Sequence, residues 1–362
     1  MGEDRAVDPG PARDRPPRPR RAPRLRGLGV VVRDLLPPAG RHDLLPVEAL
    51  VDLAALADRL GYESLWVPEG RGRELFSLLG AMARVTRRVR LATGIMPIYS
   101  RPPALAAMAA ATLADLTGGR FILGLGTGHP GIVEEGYDHA YRQPLVAMRE
   151  YVEIVRRVLA GGPVAVAGQV FRVHHFEIEA PPRHAVPVYV AALGEQMLRL
   201  AGQTADGVIL NWMGPGRAAW AVDVARRAAR EAGRDPADLT VVCFVRAAVT
   251  QTPDAARRVL RRLVATYAAM PAYSQMFAAA GYAGEMAAVE GAWASGGVEA
   301  AAATLSAEFV AELSAVGDAA ACRARFAAYH AAGVDVVAAY PFPFGADPAA
   351  SLRATVEGLA AA

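Results

Sequence analysis

Along most of the chain, short runs of β-branched and other apolar residues alternate with longer alanine- and leucine-rich runs whose apolar positions recur at helical spacing. Gly27-Leu28-Gly29-Val30-Val31-Val32 predicts a first strand, and residues 46–60 a helix with Val47, Leu50, Val51, Leu53, Ala54 and Ala57 as its apolar stripe. The same beat predicts strands at 64–69, 89–96 and 120–126, with helices at 74–85, 102–116 and 144–159. Residues 164–179, where Phe171, Val173, Phe176 and Ile178 mark the apolar positions, interrupt the rhythm as a hairpin. It resumes with strands at 186–192, 207–212, 239–250 and 334–340, helices at 195–204 and 217–232, and a long, mostly helical stretch over 253–332. Strands that are apolar throughout suit a parallel sheet covered on both faces. Eight such units predict an α/β fold: a (β/α)8 TIM barrel with insertions, the hairpin after the fourth helix and the helical segment before the eighth strand. A doubly wound sheet is the competing architecture.

Composition narrows the function classes. With 53% hydrophobic and 21% charged residues among 362, a large core is available and general disorder is excluded. A net charge of +3, from 39 basic and 36 acidic residues, is too balanced to point to nucleic acid. The exception is residues 1–26, with eight arginines and six prolines, read as a disordered Arg/Pro-rich tail before a single barrel domain at 27–362. No apolar run is long enough for a membrane span. Every basic side chain is arginine; the absence of lysine excludes a Schiff-base lysine and a Walker-type phosphate loop. Cys243 and Cys322 are too few for a four-cysteine zinc site or a disulfide framework, and predict a reducing cytoplasm. His174 and His175 fall on opposite faces of a strand, so no metal is expected there.

In a barrel, chemistry belongs at the carboxyl ends of the strands. The second strand ends in Val67-Pro68-Glu69-Gly70, which brings an acid to the mouth. The third ends in Thr93-Gly94-Ile95-Met96-Pro97-Ile98-Tyr99-Ser100-Arg101-Pro102, a stiff turn whose glycine suits close approach of a ligand and whose Arg101 could meet an anion. Gly124-Leu125-Gly126-Thr127-Gly128-His129-Pro130-Gly131 follows the fourth; its proline and strand position do not fit a dinucleotide loop, and His129 is placed to move a proton. At the fifth, Ala191-Ala192-Leu193-Gly194-Glu195 passes directly into a helix, whose amides can hold a phosphate without lysine.

Taken together, Leu65 to Glu69, Arg90 to Pro103, Gly118 to Gly131 and Pro187 to Ile209 resemble the bacterial luciferase-like flavin and deazaflavin oxidoreductases. The likeness is to the branch using coenzyme F420, which includes methylenetetrahydromethanopterin reductase and F420-dependent glucose-6-phosphate dehydrogenase. The resemblance implies a hydride transfer between the deazaflavin C5 and a small organic substrate, with a homodimer as the expected assembly. It implies Glu69 near the ring, a non-prolyl cis peptide at Gly94-Ile95 against it, Thr127 and Gly128 as cofactor contacts, and Leu193 and Gly194 at the phosphate. Glu69 and His129 are the implied proton handlers, while Tyr99, Trp212, Met213 and Phe342 are candidates for the substrate side. Departures are Gly70 in place of a histidine, Pro97 in place of a threonine, and His129 in place of an acid. Without lysine the sugar-phosphate contacts are missing, which argues against glucose 6-phosphate. An FMN-dependent monooxygenase and a non-catalytic flavin-binding barrel are the other readings of the same residues.

Overall fold

The computed structural model describes residues 24–33 and 45–360. The chain runs β1 (Gly27–Val31), α1 (Val47–Arg59), β2 (Ser64–Val67), α2 (Leu75–Val85), β3 (Arg90–Thr93), the two-residue β4 (Met96–Pro97), α3 (Pro103–Leu116), β5 (Phe121–Gly126) and α4 (Pro144–Leu159). The hairpin β6 (Val164–Ala167) and β7 (Arg172–Phe176) follows, then β8 (Val188–Ala191), α5 (Glu195–Thr204), β9 (Gly207–Asn211) and α6 (Pro215–Glu231). Next come β10 (Thr240–Val249), α7 (Pro253–Ala268), α8 (Pro271–Phe277), α9 (Ala283–Thr304) and α10 (Ala307–Glu312). The chain closes with β11 (Ser314–Gly317), α11 (Ala319–Ala331), β12 (Val336–Pro341) and α12 (Pro348–Ala360).

Eight strands, β1, β2, β3, β5, β8, β9, β10 and β12, pair in parallel, and the β12–β1 and β9–β10 ladders close the ring. That closure excludes the doubly wound sheet. The hairpin is antiparallel and separate from the barrel, as its alternation predicts. One strand went unforeseen. Within the stretch read as helical lies β11, only four residues long, which pairs with β10 over 246–249 just beyond where β9 stops pairing at 244. Four residues are too few to show a period, so no pattern could reveal it.

Alternate residues of each strand face inward and outward. The inward set, Val31, Trp66, Ala92, Ile122, Tyr189, Ile209, Val242, Phe244, Val336, Ala338 and Tyr340, fills the barrel, while the outward set packs under the helices. Leu25 joins the inner set and is fully buried. Arg24 pairs with Asp335, whose carboxylate also accepts from the Val241 amide at 2.9 Å. Residues 24–26 of the expected tail therefore belong to the barrel floor, and residues 1–23 lie outside the described residues.

Candidate active site at the barrel mouth

The β2 and β3 ends form one rim. Glu69 Oε2 accepts from Arg101 Nη1 at 2.5 Å and Oε1 from Nη2 at 2.7 Å, a two-pronged ion pair, and the Ser100 hydroxyl donates to Oε2 at 3.2 Å. Arg101 Nη2 also reaches Glu74 at 2.5 Å, and its guanidinium lies 5.1 Å from the Phe76 ring centre. Burial lowers the Arg101 pKa, but Glu69 and then Glu74 outweigh it, so the net direction is upward. The sequence offered Arg101 as an anion contact. In the structure two carboxylates, Glu69 and Glu74, hold its guanidinium.

Between these residues the peptide Gly94-Ile95 is cis, at the position the resemblance implies. A Cβ at Gly94 would come within 2.8 Å of Trp66 Cβ and 3.1 Å of the Phe244 ring, so only glycine lets the backbone lie this low on the inner core. The Gly94 amide donates to Val67 at 2.7 Å and the Glu69 amide to Ile95 at 3.0 Å, which ties the two strand ends together.

After β5, Thr127 is half-buried and its hydroxyl is joined to the Tyr141 hydroxyl at 3.0 Å; Gly128 follows with φ +71°, a left-handed conformation that favours glycine. The half-buried His129 ring packs on Tyr273 and Tyr267, at 6.0 and 6.3 Å between centroids. Burial, and secondarily the charge of Arg33, lower its pKa below the ordinary histidine value. His129 is therefore a neutral imidazole at pH 7. No contact joins it to Glu69 among the described residues; the two expected proton handlers belong to different parts of the mouth. After β8, Leu193 is half-buried, while Gly194, Glu195 and Gln196 are exposed. Gly194 precedes the first turn of α5 without any side-chain cap on the free amides.

The β9, β10 and β12 ends form the opposite rim. Arg246 points inward, 3% exposed, with Nη1 donating to Asn211 Oδ1 at 2.5 Å. Asn211 Nδ2 in turn donates to the Tyr273 hydroxyl at 2.8 Å. The guanidinium carbon sits 3.8 Å from the Trp212 ring centre and 4.0 Å from that of Tyr340, a double cation–π arrangement. Burial lowers the Arg246 pKa, opposed by Tyr340, Tyr267 and Tyr273, with Arg33 adding to the lowering. Of these residues only Trp212 was among the sequence candidates; Arg246, Asn211, Tyr267, Tyr273 and Tyr340 were not. The signal was available: an arginine inside the apolar run Val241-Val242-Cys243-Phe244-Val245-Arg246-Ala247-Ala248, and the only asparagine of the chain, Asn211, at the end of the preceding predicted strand.

All four expected substrate-side residues are buried. Tyr99 turns its hydroxyl to the Arg142 carbonyl at 3.0 Å and packs on Tyr141, His139 and Phe171. Phe342 lies in the outer core against Phe344. Trp212 lies with its ring against Arg246, and together with Met213 lines a cavity of about 340 Å³ beside α6, α8 and α10.

The luciferase-like monooxygenase family model matches residues 29–336, from within β1 to the first residue of β12. The chain belongs to that family. Among luciferase-like relatives, the 5,10-methylenetetrahydromethanopterin reductase of Methanolobus tindarius is 32% identical over 200 residues, 55% of this chain and 61% of that protein. The F420-dependent glucose-6-phosphate dehydrogenase of Intrasporangium calvum is 34% identical over 188 residues, 48% of this chain and 56% of that one. The chain thus spans about three fifths of the length of the curated relatives it matches. The coenzyme F420-dependent tetrahydromethanopterin reductase of Methanopyrus kandleri superposes with a TM-score of 0.77 at 24% identity, covering 93% of this chain and 98% of that one. That likeness shows a shared barrel. As in the relatives' names, the chemistry of this family is that of enzymes. No described helix is long and apolar enough to cross a membrane.

Proposed function

We propose that this luciferase-like chain is an F420-dependent oxidoreductase acting on a small organic substrate in the barrel mouth. The observation that supports it best is the α5 N-terminus: exposed, uncapped amides from Gly194 onward, on a barrel whose β3 end carries the low Gly94-Ile95 backbone. A phosphate at those amides needs no lysine, which suits a lysine-free chain. In this reading Gly94, Ile95, Thr127 and Gly128 hold the ring region, Leu193 and Gly194 the phosphate. Coenzyme F420, when bound, supplies the hydride chemistry at its C5; the protein orients the partners and keeps water out. His129, neutral at pH 7, is the residue assigned to proton handling. Glu69, with both oxygens held by Arg101, fixes the rim beside the ring.

Mixing the protein with F420 and with FMN, and following fluorescence and absorbance, tests the reading. Tight FMN binding with oxygen consumption overturns it in favour of a monooxygenase. F420 binding without reduction of any carbonyl, imine or enone acceptor overturns it in favour of a non-catalytic barrel. A sharper test is Gly194→Val. The residue has extended backbone, φ −110° and ψ 163°, and nothing lies within 4 Å of an added Cβ, so the fold should be undisturbed. Cofactor affinity should fall about tenfold through loss of close approach to charged hydrogen-bonding amides.

A homodimer is proposed on a separate surface. Leu105, Met108 and Leu116 are exposed at helical spacing on α3, an apolar stripe without cover in the monomer. Met108→Glu should convert a dimer to a monomer by sedimentation velocity, and an unchanged dimer would place the interface elsewhere.

A further inference from the structure

Arg246 carries a buried positive charge that no carboxylate answers among the described residues; its one protein acceptor is Asn211 Oδ1, on Nη1. Nε and Nη2 have no acceptor among the described residues, yet they are not sealed from solvent. A buried charge without a partner is unfavourable, and proteins supply one from within or from a ligand. The ring centres of Trp212 and Tyr340, 3.8 and 4.0 Å away, flank the guanidinium carbon and leave its edge as the way in. The edge of an arginine matches a planar carboxylate through two parallel hydrogen bonds. Beside the same rings, Arg33 donates from Nη1 to the Tyr340 hydroxyl at 3.5 Å. Around this rim, Tyr267 and Tyr273 present flat ring surfaces, stacked edge to face at 4.9 Å.

We propose that Arg246 anchors a carboxylate of the substrate, borne on a flat organic body that the Tyr267, Tyr273 and Trp212 side of the mouth accepts. The proposal names the substrate class of the site described under the proposed function and rests on that reading for the reaction, though the anion site stands on its own geometry.

The test uses the full chain and three probes of one shape: benzoate, its neutral isostere benzamide, and phenyl phosphate. Trp212, stacked on Arg246, makes intrinsic fluorescence a direct readout. Benzoate is expected to bind at least about tenfold more tightly than benzamide, the effect of one charge-assisted pair. Arg246→Met should abolish that preference while leaving the F420 dissociation constant within about threefold of the parent, and Arg246→Lys should keep a reduced preference, because the charge stays and the fork is lost. Thermal melts establish that each variant is folded. Equal binding of benzoate and benzamide by the parent protein overturns the proposal, as does a preference that survives in the methionine variant. A parallel loss of F420 affinity also overturns it by assigning Arg246 to the cofactor, and tighter binding of phenyl phosphate replaces the carboxylate by a phosphate. A parent protein that prefers benzoate but does not bind F420 sinks the cofactor reading alone.

Discussion

The two rims of the barrel mouth each hold an arginine, and they treat it in opposite ways. At the β2–β3 rim, Arg101 is closed off by Glu69, Glu74 and the Ser100 hydroxyl, with donors and acceptors matched inside the protein. At the β9–β10–β12 rim, Arg246 is more deeply buried and is met by one amide oxygen and by ring faces. A charge balanced from within holds a scaffold in place. A charge left open toward a mouth is there for something that arrives. The resemblance drew attention to the first rim because its residues sit in recognisable motifs, whereas the second is assembled from strand ends far apart in sequence.

The largest difference should appear when one partner is removed from each rim. Glu69→Gln leaves Arg101 with only the half-exposed Glu74, and the side chains of the broken pair are 7% and 16% exposed. Such a loss should destabilise the fold by about 3 kcal/mol. Arg246→Met removes a buried charge that has no carboxylate partner among the described residues, so stability should change by less than about 1 kcal/mol in either direction. Urea denaturation of the two variants checks the contrast. Similar large losses would mean that Arg246 is as much a structural residue as Arg101.

A smaller effect concerns turnover. His129 stands on the open side, against Tyr267 and Tyr273, while on the closed side both oxygens of Glu69 are held by Arg101. His129→Gln should lower kcat about a hundredfold, the lower end of what a general acid or base contributes, with F420 affinity little changed. An equal fall in cofactor affinity would make the imidazole a binding group.

How much of this could be read from the sequence depends on how local the physics is. The barrel was legible because each parallel strand is apolar throughout and each helix carries its own stripe, as in Val89 to Thr93 followed by the alanine-rich Pro103 to Leu116. The Gly94-Ile95 position was legible through resemblance alone. Composition and spacing could suggest a ligand near Gly94, but not the Trp66 and Phe244 contacts that exclude a side chain there. The carboxylate partner of Arg101 was not legible because Glu69 is 32 residues away, and only the fold brings the two together. The side Phe342 takes was not legible for a different reason: an aromatic just past a strand end can turn outward into the core as readily as inward to the mouth. Leu25 is the reverse case, a single apolar residue in an arginine-rich segment that the floor nonetheless buries.

The smallest expected effect separates the rims by pH. On the open rim, burial and then Arg33 depress the His129 pKa below its unfolded value, so the unfolded chain takes up the proton first as pH falls. Stability linked to this group is thus present above about pH 6.5 and is lost as pH falls below it toward the lower folded value. On the closed rim, burial raises the Glu74 pKa, but hydrogen bonds from Ser77 and Phe76 and the charge of Arg101 outweigh it, leaving a net depression. Its contribution is complete above the unfolded value, about 4.3, and disappears only as pH falls through a still lower range. Between about pH 6.5 and 4.5, acid should therefore weaken the protein through the open rim while the closed rim holds. Urea midpoints measured across this range should decline in the parent protein and decline less in His129→Gln. An identical slope in parent and variant would show that the acid-sensitive groups lie away from the mouth.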